Sequence, residues 1–173
     1  LFMASAWSGI SIKEYSGYFD TVYISLYKYL GASAGAILCG DKALVEKMPH
    51  MIKIHGGNMF GNWLNAAMAS YKLDGIEERL QQAIKRSKEI FDSLNQVPGM
   101  KVSPLEGGTN IYTIKFPPGL QGQQFGERLN NYFIRMPRPD ANGDAKISVN
   151  ETLLYREPKY IIDAIKDSLN KAK

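Results

Sequence analysis

Cysteine is almost absent from this chain of 173 residues. Cys39 stands alone, so no intrachain disulfide is possible, and the composition points to a reducing compartment, read here as cytoplasmic. With no Cys-x-x-Cys pair and no evident histidine partner, Cys39 in "GAILCG" is expected to be a small buried hydrophobe rather than a catalytic thiol. Histidine is nearly as scarce. His50 and His55 are the only two, no ligand spacing accompanies them, and no metal site is expected. Apolar stretches long enough to cross a bilayer are missing, as is the basic start of a signal peptide, so no membrane partner is expected. Strong charge of one sign is lacking too. The net +4 is scattered, and the densest run, "KRSKE" at 85–89, carries its own counter-charge, so nucleic acid is not an expected partner. Repeats and low-complexity tracts do not occur. The first residue is Leu1 rather than methionine, which predicts that the sequence begins inside a longer coding unit.

What is present reads as globular protein, with 45% hydrophobic and 22% charged residues. In "DTVYISLYKYLG", at 20–31, Val22, Ile24 and Leu26 alternate with Tyr23, Ser25 and Tyr27, which predicts a strand over 21–26 with Lys28 at its end. A lysine there is either an edge residue reaching water or a positioned amine. A short strand is expected at 36–39, then a helix capped by Asp41. Leu73, Ile76, Leu80, Ile84, Phe91 and Leu94 recur at helical spacing, predicting a long amphipathic helix from Asp74 to about residue 95, closed by Gly99. Beyond it, "KVSPLEGGTNIYTIKFPPG" predicts a short strand and then a longer one at about 109–116, with further strands expected at 133–136 and 145–149, a helix at 123–132, and a last helix with Pro158 in its first turn. Strands and helices mixed in this way make a small α+β unit. The part before residue 74 has too few strands to build a complete parallel sheet.

A lysine amine turns nucleophilic when part of it is neutral, and pyridoxal 5′-phosphate is the commonest cofactor that exploits such an amine. Taken alone, "SLYK" is a weak signal, since a solvated lysine at a strand end explains it equally. The longer segment "FDTVYISLYKYLGASAGAILCG" resembles the cofactor-lysine region of the threonine aldolase and aromatic amino acid beta-eliminating lyase family, which are fold type I pyridoxal-phosphate enzymes. Ser25, Lys28, Gly31, Ala32 and Gly35 carry the match. It continues through "MIKIHGGNMFGNWLNAAMAS" and more faintly through "GGTNIYTIKF".

The resemblance implies an α/β fold: an incomplete large domain at 1–73, a bridging helix at 74–98 and a small α+β domain at 99–173. It implies pyridoxal 5′-phosphate on Lys28 with Ser25 helping to hold its phosphate, and an amino acid substrate undergoing β-elimination or retro-aldol cleavage. It also implies a homodimer or homotetramer. The aspartate that pairs the cofactor's ring nitrogen, and the glycine-rich phosphate loop, are expected before Leu1. Lys53 falls on a family lysine near the site's mouth, His55 beside the pocket, and Asn110 on an asparagine that precedes a strand. Lys146 takes the place of the arginine that grips the substrate carboxylate, with Arg135 and Arg138 as alternatives. Phe60 stands where threonine aldolases typically carry an arginine. The competing readings are an aminotransferase-like enzyme and a noncatalytic fragment or assembly module.

Overall fold

The computed structural model describes residues 1–172, and Lys173, the last residue of the expected small domain, lies outside them. The described chain divides into two compact units. One comprises Leu1–Ser5 and Gly9–Glu77; the other comprises Ala6–Ser8 and everything from Glu78 onward. No described helix is long and apolar enough to cross a membrane.

The first unit takes the start of helix α1 (Phe2–Ser8), with buried Phe2 and Met3, and then α2 (Ile12–Ser16). Ser11 caps α2 by accepting a hydrogen bond from the Glu14 N–H at 3.1 Å. Strands β1 (Thr21–Ser25) and β2 (Ala36–Gly40) pair antiparallel, with Thr21 opposite Gly40 and Ser25 opposite Ala36. Two short helices, α3 (Lys42–Val45) and α4 (Met48–Ile54), lead to α5 (Trp63–Leu73). Asp41 occupies the N-cap of α3, yet its side chain makes no capping bond. Cys39 corrects an expectation: it is exposed. Its strand is paired on one edge only and its side chains are mostly accessible, so the apolar look of "AILCG" did not translate into burial.

The second unit is built on α6 (Ile76–Leu94), whose Leu80, Ala83, Ile90, Phe91 and Leu94 are buried. Strands β3 (Lys101–Pro104), β4 (Ile111–Lys115) and β5 (Asp144–Ser148) form an antiparallel sheet in that order. Val102 pairs with Ile114 and Tyr112 with Ile147, placing an apolar row on one face. Helices α7 (Gly122–Asn131) and α8 (Pro158–Asn170) add Phe125, Leu129, Ile161, Ile165 and Leu169 to the core. The Phe116 and Phe125 rings meet edge to face at 5.4 Å. Asn95 ties the end of α6 to β3: its Oδ1 accepts from the Val102 N–H at 2.6 Å and its Nδ2 donates to the Val102 carbonyl at 3.2 Å.

The strand expected at 133–136 does not form. Helix α7 instead ends in a hydrogen-bonded wrap, with the Tyr132 N–H donating to Leu129 O, Phe133 to Asn130 O and Ile134 to Leu129 O. Phe133 takes φ +55°, the position at which glycine ordinarily closes a helix, and the capping geometry outweighs its strand propensity.

Two predictions follow from this unit. Phe133 is 86% exposed, so Phe133→Gly gives up little packing while removing left-handed strain of about 1 kcal/mol; urea denaturation should show a small gain in stability. At Asp140, the carboxylate accepts from the Asp144 and Asn142 N–H groups at 3.0 and 2.8 Å, which holds its pKa below the ordinary value against a small opposing effect of burial. A depressed folded pKa contributes stability that is full above the unfolded carboxylate range and lost as pH falls through the folded value. Asp140→Asn keeps the acceptor oxygen, so unfolding curves between about pH 2 and 6 should show a weaker acid dependence in the variant.

Candidate active site

The loop from residue 26 to 35 that joins β1 to β2 presents Lys28. Strand β1 stops at Ser25, so Lys28 stands in a turn rather than at a strand end, a correction to the sequence reading. The reason lies in where the backbone bonds go. The Leu26 N–H donates to Gly35 O at 3.0 Å and the Leu26 carbonyl accepts from the Ala32 N–H at 3.0 Å, which closes the loop at its base. The Lys28 carbonyl accepts from the Gly31 N–H at 3.1 Å in a tight turn that uses φ +66° at Gly31. Leu26, Leu30 and Ala32 are buried and anchor the loop, while Lys28 is turned outward and forms no ion pair among the described residues.

Ser25, Tyr27 and Tyr23 surround the base of that turn. Hydrogen bonds from Ser25 and then Tyr23 lower the Tyr27 phenol below its ordinary pKa; the Lys28 charge adds to this and burial opposes it. Tyr23 and Tyr27 also line a groove of about 690 Å³ with Leu38, Met51, His55 and Asn62. His55, just past the end of α4, is therefore brought beside the tyrosines. Lys53, in the last turn of α4, is exposed and does not line the groove.

The remaining expected residues belong to the second unit. Asn110 braces the sheet: its Nδ2 donates to the Val149 carbonyl at 2.7 Å, its backbone oxygen accepts from the Val149 N–H at 2.8 Å, and its Oδ1 accepts from the Thr109 hydroxyl at 3.1 Å. Lys146 is exposed, in register with Thr113, on the face opposite the apolar row. Arg135 lines an apolar cavity of about 510 Å³ with Leu94, Ile147 and Ile165, and Arg138 packs against Gly126.

Sequence reasoning missed Asn62 and Asn65. Asn65 Oδ1 accepts from the backbone and hydroxyl of Ser33 and from the Ala34 N–H, and its Nδ2 donates to Asn62 Oδ1. Their spacing on the first turn of α5 was visible, but nothing local shows that a loop thirty residues upstream supplies their partners.

The beta-eliminating lyase model matches residues 1–116, the stretch that contains the whole Lys28 loop. The chain belongs to the beta-eliminating lyase family. Among its relatives, the low-specificity L-threonine aldolase of Candida albicans is 38% identical over 107 residues, covering 61% of this chain and 28% of that protein. Alanine racemase TOXG of Cochliobolus carbonum is 41% identical over 143 residues, covering 78% of this chain and 36% of the other. A Listeria monocytogenes structure assigned as an L-allo-threonine aldolase superposes with TM-score 0.75 at 20% identity, over 99% of this chain and 50% of that one. The fold is thus the fold type I α/β arrangement, and the chain spans half or less of the length of these family members.

Within this family member, Ser25→Ala removes the largest influence on Tyr27. Its phenol should then titrate closer to an ordinary tyrosine, that is, at higher pH. Ultraviolet titration of phenolate absorbance, with Tyr27→Phe as the subtraction control, measures the shift; an unchanged difference titration rejects the Ser25 to Tyr27 hydrogen bond.

Proposed function

We propose that this chain is the lysine-bearing portion of a pyridoxal 5′-phosphate-dependent amino acid lyase, cleaving a β-hydroxy amino acid or eliminating a β-substituent. The observation that carries the reading is Lys28 itself, an exposed amine with no ion pair among the described residues, raised on a closed loop three residues beyond Ser25, where the strand ends. These residues fit the cofactor. Lys28 would hold it covalently and the Ser25 hydroxyl would help to seat its phosphate, while Gly31, at φ +66°, permits the tight turn that presents the lysine. When bound, the cofactor supplies an electron sink for the pair released at the substrate's Cα.

The chain's own contribution is to bind and to move protons. Once substrate displaces it, the Lys28 amine is a base that takes a proton from Cα in elimination or assists at the β-hydroxyl in retro-aldol cleavage. Lys146 neutralises the substrate carboxylate without the planar fork an arginine offers. Lys53, His55 and Asn110 are proposed as further substrate contacts, His55 through the groove it shares with Tyr27. We also propose a cytoplasmic homodimer or homotetramer, since Phe60, Trp63, Tyr71 and Phe19 leave the first unit with a broad exposed apolar surface.

A second reading has its own support. The fungal alanine racemase relative matches 78% of this chain, and Phe60 follows "GGNM" where the family resemblance implies an arginine in threonine aldolases. A racemase requires only proton removal and return at Cα. Glycine plus aldehyde, pyruvate plus ammonia, or racemised alanine as product separates the three outcomes.

The test of the site is chemical trapping. In the natural polypeptide, borohydride reduction with pyridoxal 5′-phosphate should leave the cofactor mass on the peptide containing "SLYKYLG", and Lys28→Ala should abolish the lysine-bound absorbance and lower turnover by roughly 10²-fold or more. Adduct spread evenly over surface lysines, with activity retained in Lys28→Ala, rejects the assignment.

A further inference from the structure

The loop that carries Lys28 is fastened at its far side by two asparagines that have no role in the mechanism above. Asn65 Oδ1 accepts three hydrogen bonds, from the Ser33 N–H at 3.2 Å, the Ser33 hydroxyl at 2.9 Å and the Ala34 N–H at 3.3 Å. Asn65 Nδ2 donates to Asn62 Oδ1 at 2.8 Å. The carboxamide has one sense in which this works, because only its oxygen accepts and only its NH₂ group donates. Asn62 also closes down on the loop: a Cβ placed on Gly35 would stand 3.0 Å from Asn62 Nδ2, and Gly35 has φ +95°.

From Ser33 and Ala34 the connection to the lysine is short and made of backbone. The neighbouring Ala32 N–H donates to Leu26 O, the Gly31 N–H donates to Lys28 O, and Gly35 O accepts from the Leu26 N–H. Residues 33 and 34 have no helix or strand partner, so Asn65 supplies the acceptor that their N–H groups otherwise lack.

We propose that Asn65, oriented by Asn62, is a positioning residue that holds the Ser33–Ala34 side of the loop and so sets where Lys28 presents its amine. The inference rests on the reading of Lys28 as the cofactor lysine.

Asn65→Ala deletes the acceptor, whereas Asn65→Asp keeps it and lets Asn62 turn its amide to donate instead. Two readouts apply to the natural polypeptide. Without cofactor, the rate of tryptic cleavage after Lys28 reports loop opening, with cleavage after Lys42 and Lys53 as internal controls. With cofactor, the borohydride-trapped fraction at Lys28 reports amine placement. Losing hydrogen bonds worth together about one order of magnitude in the opening equilibrium should speed cleavage after Lys28 about tenfold in Asn65→Ala and reduce trapping comparably. The two control sites should stay unchanged, and Asn65→Asp should restore both readouts to near wild type. Wild-type trapping at Lys28 that is undiminished in Asn65→Ala overturns the positioning role alone, as does Asn65→Asp behaving no better than Asn65→Ala. No trapping at Lys28 in the wild type overturns the cofactor-lysine reading and this proposal with it, and the wild-type result tells the two failures apart.

Discussion

Closure of the segment between Ser25 and Ala36 is the constraint on which the candidate site depends. The two-stranded ladder ends at that pair, and ten residues, 26–35, must return the chain to β2 without further strand bonding. Closing a loop of that length costs entropy, and its backbone groups need partners. Here both ends of Leu26 are engaged, its N–H with Gly35 and its carbonyl with Ala32, and its side chain is 2% exposed. The loop thereby has a fixed apolar root and a solvent-facing crest, and the crest is Lys28. A charged amine needs no buried counter-ion in that position, which is why the lysine stands accessible without distorting the fold.

Polar side chains repeat the same role in the second unit. Asn95 closes onto Val102, Asn110 bridges to Val149, and Asp140 gathers the amides of Asn142 and Asp144 ahead of β5. Each satisfies backbone groups that the short three-stranded sheet does not reach. The core beneath is apolar and the polar braces lie at its margins, so Asn110 has a structural function independent of any substrate contact. Lys146, by contrast, is one residue from Ile147 in a strand whose alternation sends it to the open face.

Family membership and local departure bear on different questions. Residues 1–116 follow the beta-eliminating lyase pattern, and the half-length superposition at 20% identity shows a shared fold rather than a shared reaction. On the proposed reading, Phe60 and Lys146 would change charge and planarity where an anionic substrate group would lie, which bears on which reaction is run rather than on whether Lys28 would hold a cofactor. Asn65 braces the same loop from its Ser33–Ala34 side.

Periodicity and short-range chemistry were legible without coordinates. Ile161, Ile165 and Leu169 recur every four residues and form the buried side of α8; Leu80, Ile84, Phe91 and Leu94, at helical spacing, lie on the buried side of α6; the alternation from Thr21 to Ser25 became β1. Lys28 was singled out by its neighbours in the chain, because the serine, lysine and glycines of that loop are contiguous in sequence. Burial was less legible. Cys39 sits in an apolar run and is exposed, since burial depends on what covers a strand and not on the strand's own composition. Phe133 reads as a strand residue and terminates a helix in the left-handed region, because three backbone bonds to Leu129 and Asn130 outweigh one residue's preference. Asn65 reads as an ordinary polar residue near a helix start. Only the tertiary structure brings Ser33 and Ala34 to it, since a hydrogen bond between positions so far apart leaves no local pattern for a sequence to carry.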